Sequence, residues 1–174
     1  DPLPQGNLRD NVGKHCIPFC GDFSYEPRTP SPLTDLKWIV AGQTFTVPSF
    51  NYCFTLPGSY PVGVRLVDAN GCRNEINYAI DAYGVPTANF EFYPEHPIEG
   101  VDQVEFVSTS TGQQLADWNW SFISNGGYKS QGEHTRYIFD NPGTYAVAMV
   151  VRNAWGCADT VVKSITVDSD AALY

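Results

Sequence analysis

The chain has 174 residues and contains no run of 18 or more apolar residues. No helix of it can therefore cross a hydrocarbon core, which takes about 20 such residues. Basic residues are scarce, with 10 Lys+Arg against 19 Asp+Glu and a net charge of −9. That balance excludes binding nucleic acid through its phosphates, which needs a basic face. Gly-x-Ser-x-Gly, His-Glu-x-x-His and a P-loop are all missing, so the parts of the common hydrolase, zinc-protease and nucleotide sites are not assembled here. On that ground the chain is read as a non-enzyme without a cofactor. The start, Asp1-Pro-Leu-Pro-Gln-Gly6, has no basic n-region or apolar h-region. The expectation is that a signal peptide was removed or that this is a segment of something longer.

What is present is strand and turn chemistry. Hydrophobic residues make up 43% of the chain, enough for packed cores. Ten Tyr and ten Phe, with 13 Pro and 15 Gly, suit short strands joined by tight turns.

The chain also repeats itself. Tyr52-Cys-Phe54-Thr-Leu-Pro57-Gly58-Ser-Tyr60-Pro-Val62 lines up with Tyr137-Ile-Phe139-Asp-Asn-Pro142-Gly143-Thr-Tyr145-Ala-Val147 at a constant offset of 85 residues. Ala69-Asn-Gly71-Cys72 matches Ala154-Trp-Gly156-Cys157 at the same offset. Upstream, Asp35-Leu-Lys-Trp38 matches Asp117-Trp-Asn-Trp120 at an offset of 82, as two copies with a gap in a connection would.

Each copy reads as antiparallel β. Tyr60, Val62, Val64 and Leu66 alternate with Pro61, Gly63, Arg65 and Val67, and Tyr145, Val147, Met149 and Val151 do the same in the second copy. Asn70-Gly71 predicts a two-residue type I′ hairpin, with Trp155-Gly156 in the equivalent place. The fold class is all-β: two tandem immunoglobulin-like sandwiches of some seven strands each. Gly84-Val-Pro86-Thr87 marks the boundary, giving domains 1–84 (divergent, and at its start incomplete or lacking strand A) and 85–168, then a tail, 169–174. In the second copy, strands are expected at 89–93, 103–109, 117–123, 136–139, 144–153 and 158–167. In the first, 21–25 answers to strand B, and strand A comes from 7–14 or is missing. The linker is so short that the sandwiches are expected to stack end to end.

Trp38 and Trp120 occupy the place of the core tryptophan of strand C, and Phe54, Phe139, Tyr60 and Tyr145 join them as core. Trp118 and Trp155 lie at the same end of the second sandwich. They form either an aromatic platform for a sugar or protein loop, or part of the joint with the preceding repeat. His15, His96 and His134 read as surface residues. Glu91, Glu95, Glu99, Asp102 and Glu105 read as a solvated acidic edge. Glu99 and Asp102, with nearby carbonyls, are the place where calcium would be considered, although EF-hand spacing is absent.

The cysteines Cys16, Cys20, Cys53, Cys72 and Cys157 contain no C-x-x-C pair and fit no zinc-finger spacing. They are buried free thiols or disulfides, and disulfides would imply an oxidising compartment. In an immunoglobulin-like sandwich Cys72 and Cys16 sit at opposite poles, beyond the ~4.4–6.8 Å Cα separation of a disulfide. Cys157 is then expected to reach back to Cys16 or Cys20 across the joint. The other of that pair would bond Cys53 and leave Cys72 over.

The second copy resembles a PKD (polycystic kidney disease) domain. The resemblance is carried by Val85-Pro-Thr-Ala-Asn-Phe-Glu-Phe92, Val107-Ser-Thr-Ser-Thr-Gly112, Trp120-Ser-Phe122 and the run from Asn141-Pro-Gly-Thr-Tyr145 through Asn153-Ala-Trp-Gly-Cys157-Ala-Asp-Thr160. It is similar to the PKD repeats of bacterial surface proteins exported by the type IX secretion system, among them gliding-motility adhesins. The tail from Asp168 is similar to the segment leading into their sorting domain. The first copy matches more loosely, mainly at His15-Cys16-Ile-Pro18 and over 56–75. The family's Trp-Asp-Phe-Gly-Asp-Gly motif is replaced by Trp120-Ser-Phe-Ile-Ser-Asn125 and Trp38-Ile-Val-Ala-Gly-Gln43, which removes both acidic positions.

The resemblance implies an extracellular or cell-surface stalk and interaction segment, serving adhesion or gliding motility. Its expected partners are neighbouring repeats, surface polysaccharide or envelope proteins. The alternatives are an accessory carbohydrate-binding module of a secreted hydrolase and a docking module of a secretion or motility complex.

Overall fold

The computed structural model describes residues 6–10, 15–28, 32–123 and 127–170. The chain divides into two compact units, Asp1–Gly84 and Val85–Tyr174. Among the described residues each unit has seven strands and no helix long and apolar enough to cross a membrane. The first holds β1 (Gly6–Asp10), β2 (Phe19–Pro27), β3 (Leu33–Val40), β4 (Gln43–Phe45), β5 (Ser49–Phe54), β6 (Gly58–Asp68) and β7 (Arg73–Ala82). The second holds β8 (Phe90–Tyr93), β9 (Gln103–Ser108), β10 (Leu115–Phe122), β11 (Tyr128–Gln131), β12 (His134–Ile138), β13 (Gly143–Asn153) and β14 (Ala158–Val167).

All strand pairs are antiparallel, and the sheet orders are the same in both units. In the first, β1-β2-β5 faces β4-β3-β6-β7; in the second, β12-β9-β8 faces β11-β10-β13-β14. This is the immunoglobulin-like all-β sandwich, with its two inner faces made of alternate residues. Val62, Val64 and Leu66 are at most 1% exposed, as are their counterparts Val147, Met149 and Val151. Trp38 and Trp120 stand on the central strand of each core, edge-on to Phe23 at 6.0 Å and to Phe90 at 5.1 Å, a favoured geometry for aromatic pairs. A register shift falls between Leu33 and Asp35 in β3 and between Leu115 and Asp117 in β10, so the same bulge recurs in both units.

Several expectations need correction. Neither Asn70 nor Trp155 adopts positive φ, whereas Gly71 (78°) and Gly156 (87°) do, so these turns are not type I′, which needs positive φ at both central residues. The chain reverses instead through a longer loop closed by Asp68 N–H donating to Cys72 C=O at 3.1 Å, and Asn153 N–H to Cys157 C=O at 3.0 Å. The first strand of the first unit, expected from 7–14 or missing, is β1, whereas β4 and β11 are additions to the expected strands. Only three and four residues long, they form because β3 and β10 offer an edge to pair with. Parts of the segments 7–14, 120–125 and 169–174, on which expectations were stated, lie outside the described residues.

Candidate functional site

The loop after the penultimate strand is built the same way in both units. Asp68, 3% exposed, accepts hydrogen bonds at Oδ1 from the N–H groups of Asn70 and Cys72, both at 2.9 Å. Eighty-five residues on, Asn153, 4% exposed, accepts at Oδ1 from Trp155 N–H at 3.2 Å and Cys157 N–H at 2.9 Å. A side-chain oxygen thus replaces the backbone partners that the reversal leaves out. At the other end of the same strands, Tyr60 donates to Leu56 C=O at 2.7 Å and Tyr145 to Asn141 C=O at 2.8 Å. Both rings are half-buried and pack on the rim of the core rather than inside it, because each hydroxyl must reach the surface corner. Phe54 and Phe139 are each 1% exposed.

The two units differ at the side where the sheets close. Phe45 and Phe50 stack with centroids 4.0 Å apart in the first unit. At the matching positions in the second, Thr135 Oγ1 donates to Ser130 Oγ at 2.7 Å. Trp120 Nε1 donates to Gly132 C=O at 2.8 Å, whereas Trp38 Nε1 is buried without a partner.

Trp118 and Trp155 are both half-buried. Trp118 packs against the core of its unit, and its Nε1 is buried without a partner. His15 is half-buried rather than fully exposed: its Nδ1 is buried without a partner and its ring meets Phe19 at 5.8 Å and Tyr83 at 6.5 Å. His96 is exposed, 4.0 Å from Asp168, and His134 is exposed on β12.

The acidic edge is also more structured than a solvated one. Glu91 and Glu95 are exposed, but Glu99, Asp102 and Glu105 are half-buried and each has a partner. Asp102 Oδ2 accepts from Ile98 N–H at 2.9 Å, and Glu99 Oε1 from the Ser169 hydroxyl at 3.3 Å. Among the described residues no three His, Cys, Asp or Glu side chains come together as metal ligands.

Cys20 and Cys53 lie directly opposite each other on β2 and β5 and are joined as a disulfide. Cys16 and Cys157 are also disulfide-bonded, and Cys72 is a free thiol. On the same outer face Asn51 Nδ2 donates to Asp22 Oδ1 at 2.8 Å.

The equivalent face of the second unit is the outer side of β12-β9-β8. Along β8, Phe90 and Phe92 point inward, so the pleat turns Glu91 and Tyr93 outward. Tyr93 is 78% exposed. It lies opposite Glu105 on β9, and Glu105 lies opposite Arg136 on β12. Arg136 donates to Glu105 Oε1 from Nη2 at 2.9 Å and from Nε at 3.2 Å. This face was not singled out from the sequence. The readable signal was an aromatic residue on the solvent parity of a strand, immediately before Pro94.

Beside this row, between β8 and β14, runs a cleft of about 370 Å³ lined by Glu91, Phe92, Tyr93, Glu95 and Lys163. Lys163 Nζ donates to Phe90 C=O and lies 5.2 Å from the Phe90 ring centroid. Asp159 Oδ2 accepts from Ala88 N–H at 2.8 Å.

Residues 85–168 match the model of the PKD domain family. Among solved structures, a carbohydrate-binding module of the β-sandwich superfamily is 30% identical over 49% of this chain and 35% of its own, with a TM-score of 0.45. This chain thus spans about a third of that one's length. The PKD1 domain of Vibrio anguillarum Epp is 22% identical over 49% of this chain and 95% of its own, with a TM-score of 0.42. Murine CEACAM1b is 13% identical over 95% of this chain and all of its own, with a TM-score of 0.53, a likeness of fold alone. No curated protein sequence matches the chain.

Proposed function

We propose that this chain is a non-catalytic stalk and interaction segment of a secreted or cell-surface bacterial protein, made of two PKD-type modules and serving adhesion or gliding motility. The observation that carries this reading is the match of residues 85–168 to the PKD domain family. The first unit is proposed as a divergent copy of the same module. Its sheet order, strand-C bulge and Asp68-centred loop repeat those of the second, which supports that extension.

Extracellular placement is supported by the disulfides, which persist in oxidising compartments. Export by the type IX system and a role in gliding rest on the motif resemblance over 141–160. Each sandwich would act as a spacer whose folded state resists extension, while its outer faces contact neighbouring surfaces.

The test is antibody labelling and protease shaving of intact cells of the source organism, followed by adhesion and spreading assays on a strain lacking the gene. Labelling of unbroken cells together with loss of adhesion or spreading is the expected result. Recovery of the protein only from the soluble lysate overturns the proposal.

A further inference from the structure

The outer face of β12-β9-β8 carries an arrangement that a passive spacer does not use. Tyr93 is the most exposed large hydrophobic side chain among the described residues, at 78%. The row Tyr93, Glu105, Arg136 crosses three strands, about 10 Å at a strand spacing of ~4.8 Å. On the far side of Tyr93 is the cleft with Glu91, Glu95 and Lys163. The Lys163 ammonium is held in place by Phe90 C=O; one of its three N–H groups is thus engaged and two remain to donate. Arg136 likewise uses part of its five-donor fork on Glu105. Glu91 and Glu95 have no partner among the described residues.

We propose that this face binds a strand of an uncharged polysaccharide. Tyr93 would lie against the apolar face of a sugar ring, Lys163 and Arg136 would donate to its oxygens, and Glu91 and Glu95 would accept from its hydroxyls. Sugar hydroxyls both donate and accept, so they need this mixture of groups beside an exposed ring. A peptide adding itself as a strand to β8 is disfavoured, since the outward Ala88 N–H and Phe90 C=O are already taken by Asp159 and Lys163. An anionic polysaccharide is disfavoured by charge: residues 85–174 contain 11 Asp+Glu and 4 Lys+Arg. The inference names a ligand for the interaction role proposed above and rests on that reading.

The test is native affinity electrophoresis of the full chain through gels containing barley β-glucan, xyloglucan or glycol chitin, with alginate as the anionic control. The expected result is retardation by at least one of the three neutral polymers. It weakens at least tenfold in Tyr93→Ala, severalfold in Arg136→Gln, and persists in Tyr93→Trp. Thr160→Ala, on the opposite sheet, leaves it unchanged. Tyr93 is exposed, so its variants retain the fold, which circular dichroism melting checks. No retardation by any neutral polymer, retardation by alginate alone, or equal retardation of the wild type and Tyr93→Ala overturns the proposal. Such a failure leaves the cell-surface experiment standing, whereas a lysate-only location sinks the stalk reading whatever the gels show.

Discussion

Replacing Asn153 with alanine tests the loop hub most directly. The side chain is 4% exposed, and its Oδ1 is the acceptor for Trp155 N–H and Cys157 N–H. The Cys157 bond lies in the interior, so truncation leaves an N–H without water or partner, at a cost of about 1–3 kcal/mol. The part-buried Trp155 bond adds about 0.5–1.5 kcal/mol. The sum, roughly 1.5–4.5 kcal/mol, would lower the melting midpoint of the second unit by roughly 6–36 °C, at ~4–8 °C per kcal/mol for a domain of this size. Asn153→Asp retains the accepting oxygen, as Asp68 does in the first unit, and should cost less than half as much. Scanning calorimetry of the full chain, with urea midpoints from tryptophan fluorescence, gives both numbers. The reasoning fails if Asn153→Ala costs below about 0.5 kcal/mol, or if Asn153→Asp costs as much as Asn153→Ala.

Three further outcomes are expected. Cys20 and Cys53 are 33 residues apart, and opening a loop of that length releases about 3–4 kcal/mol of chain entropy in the unfolded state. The Cys20→Ser, Cys53→Ser double variant should therefore lower the urea midpoint of the first unit, while in the native wild type only Cys72 reacts with iodoacetamide. Trp120→Phe removes a made hydrogen bond and Trp38→Phe an unmade one, so Trp120→Phe should be the costlier by about 1–2 kcal/mol in urea melts; the reverse order refutes the assignment. Burial raises the Tyr25 phenol above its ordinary value of 10.0. Its neutral form is thus favoured in the fold, and this contribution is intact below pH 10.0 and declines as the pH rises through the folded value. Tyr25→Phe should flatten the alkaline fall of stability in a pH series of urea melts.

Much of the fold was legible because its causes are local and periodic. The pleat forces alternate burial, so Val62, Val64 and Leu66 declared one face of a strand, and the 85-residue offset transferred that assignment to Val147, Met149 and Val151. Turn chemistry was legible only in part. Asn-Gly marked where the chain reverses, but the route it takes depends on Asp68 folding back onto N–H groups two and four residues away. His15 read as polar and exposed because its neighbours in sequence are polar, whereas its neighbours in space, Phe19 and Tyr83, are aromatic. Trp118 and Trp155 stood out by residue type, and both are half-buried, Trp118 against the core of its unit; Tyr93, at 78% exposure, stood out only once the pleat of β8 was known.

The sequence by itself determined two repeats, an all-β fold, the inward face of each long strand and the points of reversal. Each of these follows from spacings of a few residues or from comparing the chain with itself. Tertiary structure alone decided how the sheets close at their sides. Phe45 on Phe50 does this in one unit and Thr135 on Ser130 in the other. The edge of β8 is covered by Asp159 and Lys163, from 71 and 73 residues away. No local rule links residues that far apart, because their partnership exists only once two sheets have folded over a common core and left the same edge groups in need of a hydrogen bond.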